Sequence, residues 1–283
     1  MEILVGKTAG FCAGVINAVS KTEAELEKKQ KLYCLGELTH NSVVMNELKQ
    51  KGLDVVEQLE DVPSGENVII RAHGVPPEVY EQAKHKNINL IDLTCPKVLK
   101  IHKQVEDYVK NRYFLFLTGK KNHPEVVGIC GYGKEQLIVI ESLEDIEEAI
   151  RKMKKNRKVA LISQTTFSME KFEQIARALK EKIANIEINN TICMATKIRQ
   201  EETEKISKEV SAMIIIGGKN SSNTKKLYEI ACKNCENVYL IETKDELNLE
   251  QMQRFEKIGI MAGASTPRKS IEEAVKSIEM CSV

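Results

Sequence analysis

The chain has 283 residues, of which 42% are hydrophobic and 29% are charged, and its 42 basic and 41 acidic side chains leave a net charge of +1. This composition is typical of a folded globular protein and excludes a largely disordered chain. The near-neutral charge and the 5% aromatic content argue against a nucleic acid partner. The sequence has neither a secretory signal nor the run of about 18 apolar residues that a membrane span needs. We therefore expect a cytoplasmic protein with no membrane partner.

Short β-branched runs alternate with amphipathic charged segments along the whole chain. The predicted strands are Ile3–Gly6, Leu32–Gly36, a segment near Val55, Val68–Ala72, Asn89–Leu93, Tyr113–Thr118, Leu137–Glu141, Val159–Ser163, Ala212–Gly217, Val238–Glu242 and Ile258–Ala262. The predicted helices are Ala13–Lys31, Val43–Lys51, Pro77–Lys86, Pro96–Arg112, Pro124–Cys130, Asp145–Lys155, Met169–Ile183, Ala195–Val210, Thr224–Cys232 and Arg268–Met280. Short strands that alternate with longer helices predict βαβ units and mainly parallel sheets, which is an α/β fold.

Three of the eight cysteines precede a predicted helix, and they divide the chain into near-equal thirds: Cys12, Cys95 and Cys193. Three α/β lobes that each offered one such cysteine would bring three thiols to a common centre, because ligands gather beyond the carboxyl ends of parallel strands. A helix N-terminus also stabilises the thiolate, which is the form that binds metal. The wide spacing has no motif specificity, so three ordinary buried cysteines remain the alternative.

The remaining cysteines give weaker signals. Cys232 and Cys235 have CxxC spacing but lie at a predicted helix end without a thioredoxin-like context, and we interpret them as structural. Ordinary packing is expected for the others, which are Cys34, Cys130 and Cys281.

Three of the five histidines share a predicted position between the end of a strand and the start of a helix: His40, His73 and His123. Anions are favoured there because a helix N-terminus has free N–H groups, although each histidine could also simply cap its helix. Glu125 falls in the first turn of a predicted helix, where it either complements the helix dipole or donates a proton to a bound substrate. His85 and His102 lie in charged helical stretches and are expected at the surface.

Three polar loops have the composition of anion-binding loops. Gly217–Thr224 follows the most apolar predicted strand, and it lacks the order of residues of a Walker A loop. Its short donors are Ser221, Ser222 and Asn223. Gly263–Pro267 repeats the arrangement with Ser265 as donor, and Ser163–Thr166 does so in the middle of the chain. Phosphate or diphosphate would suit these loops, while simple helix capping is the alternative.

Seven ordered motifs connect the chain with a known family. They are Gly10–Val15, Arg71–Val75, Asp92–Pro96, His123–Gly128, Ser163–Thr166, Gly217–Asn223 and Gly263–Ser265. In this order they resemble the LytB family of 4-hydroxy-3-methylbut-2-enyl diphosphate reductases, and the similarity runs from residue 3 to the final predicted helix. The resemblance implies the last step of the non-mevalonate isoprenoid pathway, in which an allylic diphosphate is reduced to isopentenyl and dimethylallyl diphosphate.

The resemblance also implies a fold and a cofactor. The fold would be a cloverleaf of three similar α/β lobes around a central iron–sulfur cluster. The lobes would be residues 13–95, residues 96–192, and residues 193–283 together with 1–12. The cluster would be [4Fe-4S], with one iron open to substrate, and its ligands would be Cys12, Cys95 and Cys193.

The resemblance further implies roles for single residues and a redox partner. Glu125 would be the catalytic proton donor. The substrate-binding residues would be His40, His73, His123, Thr165, Ser221, Ser222, Asn223 and Ser265. The expected electron donor is a ferredoxin or a flavodoxin.

Three other functions compete with this interpretation. An iron–sulfur hydro-lyase would share the open iron but would consume no electrons. A quinolinate synthase has three lobes and a three-cysteine cluster, but it would not explain the loops suited to diphosphate. A non-catalytic redox sensor would have a cluster and no affinity for diphosphate.

Overall fold

The computed structural model describes residues 1–28, 31–153 and 157–281, and strands and helices alternate along them. The strands are β1 (Glu2–Val5), β2 (Leu32–Leu35), β3 (Leu53–Val56), β4 (Asn67–Ile70), β5 (Asn89–Asp92), β6 (Tyr113–Thr118), β7 (Leu137–Ile140), β8 (Lys158–Ser163), β9 (Ile186–Ile188), β10 (Ala212–Ile216), β11 (Val238–Ile241) and β12 (Lys257–Ala262). The helices are α1 (Ala13–Lys28), α2 (Ser42–Gln50), α3 (Pro77–His85), α4 (Pro96–Lys110), α5 (Pro124–Gly133), α6 (Ile146–Lys152), α7 (Met169–Lys182), α8 (Met194–Ser207), α9 (Ser222–Cys232), α10 (Leu249–Met252) and α11 (Arg268–Met280).

The strands form three four-stranded sheets, and the chain divides into two compact units. The first unit comprises Met1–Lys31, Glu37–Leu53 and Met194–Val283, and it contains the sheet β1-β12-β10-β11. The second unit comprises Leu32–Gly36 and Asp54–Cys193. It contains the sheets β3-β2-β4-β5 and β7-β6-β8-β9, except for the first residue of β3. Neighbouring strands pair in parallel, for example β6 with β8 and β10 with β12, so the predicted three-lobed α/β fold is confirmed.

In the second unit, the sheet around β6 is buried on both faces because helices cover each side. Phe114 and Phe116 pack in one core, which includes residues of α6 and α7. Leu115 and Leu117 point to the opposite face and pack with residues of α4 and α5, among them Val126. Successive side chains of a strand alternate between faces, so an uninterrupted apolar run is what a strand covered on both sides requires.

The sheet of the first unit follows the same rule. Ile214 of β10 packs in a core that includes Ala274 of α11, whereas Ile215 packs in a second core that includes Leu227 of α9. These helices cover the two faces of parallel strands. The carboxyl ends of parallel strands lie at one edge of a sheet, and the loops that leave this edge lead into the helices that carry the candidate site.

The structure differs from the predicted elements in a few places. The edge strand β9 and the short helix α10 were not predicted, because three or four residues are too few for a periodic pattern. Helix α1 ends at Lys28 and α6 at Lys152. Of the predicted extensions to Lys31 and Lys155, residues 29–30 and 154–155 lie outside the described residues, whereas Lys31 and Met153 are not helical.

The prediction that His102 lies at the surface is wrong. Its side chain is 3% exposed and stacks on Tyr132, with ring centroids 4.2 Å apart. Burial lowers the pKa of His102 to about 4, although Asp92 acts in the opposite direction. The spacing from Val98 and Val105 places His102 on the buried face of α4, and this periodicity could have predicted its position.

None of the helices in the described parts of the chain combines the length and the apolar character that crossing a lipid bilayer requires.

Candidate functional site

In the second unit, Cys95 lies beside the turn that carries His73. Cys95 is the N-cap residue of α4, and its backbone N–H donates to the carbonyl oxygen of Ala72 at 3.0 Å. The turn closes through the N–H of Gly74, which donates to the carbonyl oxygen of Arg71 at 3.0 Å. The thiol of Cys95 and the imidazole of His73 are therefore presented from adjacent loops at the carboxyl ends of β5 and β4.

Only glycine fits the last position of that turn. Gly74 has a φ of +72°, in the left-handed region that favours glycine. A Cβ at this position would lie 2.6 Å from Cε1 of His102 and 3.0 Å from Cγ2 of Thr94. The turn that carries His73 thus packs directly on the buried ring of His102.

His123 joins this group from the neighbouring lobe of the second unit. Its ring contacts that of His73 edge to face, with centroids 5.3 Å apart. His123 is the N-cap residue of α5, and its Nδ1 accepts a hydrogen bond from the N–H of Glu125 at 3.1 Å. The helix-capping role that the sequence left open is therefore present. It places the proton of the neutral ring on Nε2, because Nδ1 is occupied as an acceptor.

Glu125 is a buried carboxyl group, only 2% exposed, in the first turn of α5. Thr165 donates to both of its oxygens, through the backbone N–H at 2.6 Å and through the hydroxyl at 2.7 Å. Burial raises the pKa of Glu125 to about 7, although these two hydrogen bonds act in the opposite direction. A group with a pKa near 7 can hold a proton and release it at neutral pH, which is what a proton donor requires.

Thr165 also holds the segment of Cys193. The backbone N–H of Cys193 donates to the carbonyl oxygen of Thr165 at 2.9 Å, and α8 begins at the next residue. In the second unit, contacts thus connect the segments of two cysteines with two imidazoles, one carboxyl group and one hydroxyl group. In order, these residues are Cys95, His73, His123, Glu125, Thr165 and Cys193.

In the first unit, Cys12 is held beside the loop between β12 and α11. Its backbone N–H donates to the carbonyl oxygen of Ala264 at 3.1 Å, and its own carbonyl accepts from the N–H of Ile16 as α1 begins. The hydroxyl oxygen of Ser265 is buried and has no hydrogen-bond partner among the described residues. A buried unpaired hydroxyl costs free energy, so this position is suited to a polar ligand.

The loop between β10 and α9 presents more polar groups. Ser221 caps α9, because its hydroxyl oxygen accepts from the N–H of Thr224 at 3.3 Å, and Ser222 is the half-buried first residue of the helix. Asn223 is 4% exposed, and neither of its amide atoms has a partner within the described part of the chain. Free N–H groups of the first turn and an unsatisfied amide together favour an oxygen-rich anion.

His40 is positioned against this loop. A Cβ on Gly218 would lie 1.9 Å from the carbonyl oxygen of His40, so the two backbones are in direct contact. A Cβ on Gly263 would lie 2.2 Å from the hydroxyl oxygen of Thr224. The loop between β12 and α11 is therefore in direct contact with the start of α9. The first unit therefore brings the segments of His40, Asn223 and Ser265 together, beside the loop that holds Cys12.

The cysteines differ in how well their thiols suit metal binding. None of Cys12, Cys95 and Cys193 forms a disulfide, and all three are half-buried. Burial raises the pKa of Cys34 to about 12, which Arg71 partly opposes, and burial also raises the pKa of Cys130 to about 11. A thiol with a raised pKa resists forming the thiolate that binds metal.

The structure places the CxxC pair away from these loops, at the end of α9. Cys232 is exposed there, whereas Cys235 packs in a core and lies near the carbonyl oxygens of Val210 and Asn237. Their interpretation as structural residues remains a prediction.

Two residues that the sequence analysis did not single out act on the loop before Cys12. Arg199 and Glu202 of α8 bind its backbone through their side chains. Thr196, Arg199 and Thr203 are all buried and follow helical spacing. The sequence signal that could have identified them is this polar face of α8, which lies where an apolar face would be expected. Buried polar side chains need specific partners, so such a face indicates that they bind something.

Comparisons with known proteins identify relatives over the whole chain. The LytB protein family matches residues 3–279. The chain is 41% identical over 280 residues to a 4-hydroxy-3-methylbut-2-enyl diphosphate reductase of Clostridioides difficile, with coverage of 99% of both chains. It is 42% identical over 288 residues to the protein of the same name from Aquifex aeolicus, with coverage of 99% of this chain and 97% of the relative.

Two solved structures are similar in fold. The E-1-hydroxy-2-methyl-but-2-enyl-4-diphosphate reductase from Plasmodium falciparum has a TM-score of 0.92 and 32% identity, covering 97% of this chain and 87% of the other. A second structure, of (E)-4-hydroxy-3-methyl-but-2-enyl diphosphate reductase, has a TM-score of 0.72 and 41% identity, covering 99% and 100%.

Fold and site together define a class: an α/β enzyme whose thiols, imidazoles, hydroxyls and one buried acid lie at the carboxyl ends of parallel strands. Within this class, the match of the family and of its members over nearly the whole chain identifies the family. The chain belongs to the LytB family.

The raised pKa of Glu125 predicts how stability depends on pH. Between its ordinary value of 4.5 and about 7, the carboxyl group ionises only in the unfolded state, so stability falls as pH rises through this window. Relative to Glu125→Gln, the wild type should lose roughly 3 kcal/mol of unfolding free energy between pH 4 and pH 8. Urea unfolding of both proteins across this range measures the difference. The same substitution at the exposed Glu173 is the control, and an equal response of the two variants would contradict the prediction.

Proposed function

We propose that this chain catalyses the reductive dehydroxylation of (E)-4-hydroxy-3-methylbut-2-enyl diphosphate to isopentenyl diphosphate and dimethylallyl diphosphate, the last step of the non-mevalonate isoprenoid pathway. The observation that carries the proposal is the connection of a thiol segment with a buried proton donor. Thr165 binds the N–H of Cys193 through its carbonyl and donates two hydrogen bonds to Glu125. Redox chemistry at a thiol-bound metal can thus be coupled to a proton supplied at neutral pH.

The reaction balances with two electrons and two protons. The terminal C–O bond breaks, and one proton leaves with the oxygen as water. The second proton forms a C–H bond at one of the two allylic carbons, which accounts for two products. The electron donor is proposed to be a ferredoxin or a flavodoxin, and the reaction to take place in the cytoplasm.

Membership of the LytB family implies an iron–sulfur enzyme. We propose a [4Fe-4S] cluster, with Cys12, Cys95 and Cys193 as its ligands and one iron open to substrate. The donors suit such a group because none of the three cysteines forms a disulfide, all are half-buried and each lies directly before a helix. When bound, the cluster supplies the electrons and a Lewis-acidic iron that weakens the C–O bond. The proposed lobes remain residues 13–95, 96–192, and 193–283 with 1–12.

Glu125 is the proposed source of the proton that leaves with the oxygen. When Glu125 is protonated at the oxygen that faces the Thr165 hydroxyl, this 2.7 Å hydrogen bond reverses, and the carboxyl group donates to the hydroxyl oxygen. Thr165 can accept this proton and pass its own hydroxyl hydrogen to the departing oxygen. Burial of Glu125 keeps its carboxyl group away from bulk water, which favours proton transfer to Thr165 over transfer to solvent.

The diphosphate is the part of the substrate that the imidazoles and small polar side chains would bind. Thiolates and phosphate oxygens are both negative, so binding requires donors that offset their repulsion in a site of low dielectric constant. Buried polar atoms without partners, as at Asn223 and Ser265, are suited to this purpose. The proposed diphosphate-binding residues are His40, His73, Ser221, Ser222, Asn223 and Ser265. His123 and Thr165 are further proposed substrate-binding residues, with Thr165 near the substrate hydroxyl.

Anaerobic reconstitution with iron and sulfide tests the function and the ligand set together. We expect the wild type to bind about four iron atoms and to convert the allylic diphosphate only while a reductant is consumed. Cys12→Ala, Cys95→Ala and Cys193→Ala should each lose the visible cluster absorbance and the turnover, whereas Cys232→Ala, at an exposed cysteine, should keep both. Turnover without consumption of the reductant would instead favour a hydro-lyase.

Glu125→Gln should retain its iron and lose most of its activity. We expect kcat to fall about 100-fold or more, because the amide cannot supply a proton. In the wild type, kcat should also fall as pH rises above about 7, where Glu125 loses its proton, and this decline should be missing from the residual activity of the variant. A steady-state pH profile measures both effects. Near-wild-type kcat would remove Glu125 from the proposed role.

Asn223→Ala should weaken binding of the diphosphate. Loss of a hydrogen bond to a charged group costs about 1.5 to 3 kcal/mol, so KM should rise roughly 10-fold to 100-fold. Asn220→Ala, in the same loop but at an exposed position, is the matched control and should leave KM unchanged. Equal KM values for the two variants would show that Asn223 does not contact the substrate.

A further inference from the structure

The loop that leads to Cys12 is held by two charged side chains of α8. This loop, residues 7–10, connects β1 with the segment of Cys12 in the first unit. It lies outside the helices and strands, so its backbone groups need other partners. Arg199 and Glu202 supply hydrogen bonds to its carbonyl and N–H groups, respectively.

Arg199 binds the carbonyl side of the loop. Its side chain is 3% exposed; Nε donates to the carbonyl oxygen of Thr8 and Nη2 to that of Gly10, both at 2.9 Å. The planar guanidinium group presents these donors in a fixed fork, which the flexible ammonium group of lysine cannot reproduce. Two carbonyl groups on alternate residues of the loop are thereby fixed to one rigid group.

Glu202 binds the N–H side of the same loop. Its carboxylate accepts from the N–H of Lys7 at 2.7 Å and from the N–H of Thr8 at 2.8 Å, and the hydroxyl of Thr8 donates to it as well. Burial raises the pKa of Glu202, but these hydrogen bonds outweigh it, and the pKa lies below its ordinary value. The carboxylate form therefore fits the loop.

The end of the loop has little freedom of its own. Gly10 has a φ of +103°, and a Cβ there would lie 3.2 Å from Cδ1 of Ile271 and 3.3 Å from the carbonyl oxygen of Thr266. Two residues later, the N–H of Cys12 is bound by Ala264. The segment of Cys12 is thus fixed upstream by α8 and at the cysteine itself by the loop after β12.

We propose that Arg199 and Glu202 are positioning residues that hold Cys12 in place as a cluster ligand; this inference rests on the proposed function. The two side chains form a clamp on the loop that leads to this thiol. Groups that orient a metal ligand without touching the metal commonly change metal affinity by about 10-fold to 100-fold when they are replaced. A buried arginine is costly to retain for packing alone, which favours a specific role in orienting the loop.

The chain contains a matched control for this test. Glu201 neighbours Glu202 on α8, but its side chain is 62% exposed and pairs only loosely with Lys197, at 3.8 Å. Glu202→Gln and Glu201→Gln make the same chemical change on the same helix. In Glu202→Gln, the new amide NH2 faces a backbone N–H, and one hydrogen bond to the loop is lost. Arg199→Lys keeps the charge and removes the fork.

The test uses the reconstituted holoenzyme of each variant under anaerobic conditions. Iron release to a chelator should be about 10-fold faster in Glu202→Gln and Arg199→Lys than in the wild type, with Glu201→Gln unchanged. The electron paramagnetic resonance spectrum of the reduced cluster should change in the same two variants. Thermal unfolding of the apo-proteins separates a positioning role from loss of general stability, because positioning predicts that iron release accelerates by more than the drop in the melting temperature of the apo-protein accounts for.

The outcomes separate failure of this inference from failure of the proposed function. Iron release and spectra equal to those of Glu201→Gln would overturn the clamp, as would faster release that occurs only with a matching drop in the melting temperature of the apo-protein. If Cys12→Ala retained its iron, the ligand set of the proposed function would be wrong, and the inference would be wrong with it. If Arg199 and Glu202 prove not to position Cys12 but Cys12→Ala still loses its iron, only the inference is wrong and the proposed ligand set stands.

Discussion

The backbone N–H group of each candidate ligand cysteine donates to a carbonyl oxygen in a second loop, and that loop carries a candidate substrate residue. The pairs are Cys12 with Ala264, Cys95 with Ala72, and Cys193 with Thr165. Ala264 precedes Ser265, Ala72 precedes His73, and Thr165 itself contacts Glu125. Because the same hydrogen bond fixes both loops, the position of each thiol is tied to the position of a group that would bind or protonate the substrate.

The first turn of α5 contains two titratable side chains, His123 and Glu125, whose protonation is set by different contacts. His123 caps the helix through Nδ1, which places the proton of its neutral ring on Nε2. Two residues further along, Glu125 is buried and accepts two hydrogen bonds from Thr165, and burial still raises its pKa to about 7. Two residues of one helix start can therefore take opposite tasks, one as an anion ligand and one as an acid.

The sequence predicted those helices and strands that are long enough for the spacing of their apolar residues to repeat. It missed the elements and contacts that depend on the tertiary structure. β6 is recognisable because its run is buried on both faces, whereas β9 exists through its pairing with β8. Helical spacing would have placed His102 correctly, but charged neighbours suggested a surface position. Motif residues such as Asn223 were visible from their loop. Arg199 was not, because its partners are backbone carbonyls 191 and 189 residues away in sequence.

The contact between Gly218 and the carbonyl oxygen of His40 limits how the chain can be redesigned. Any side chain at position 218 would place its Cβ 1.9 Å from this carbonyl oxygen and push the two loops apart. Lys219 and Asn220, the next two residues, are exposed and meet no such barrier. Changes to this loop should therefore keep the glycine and be confined to these two exposed positions.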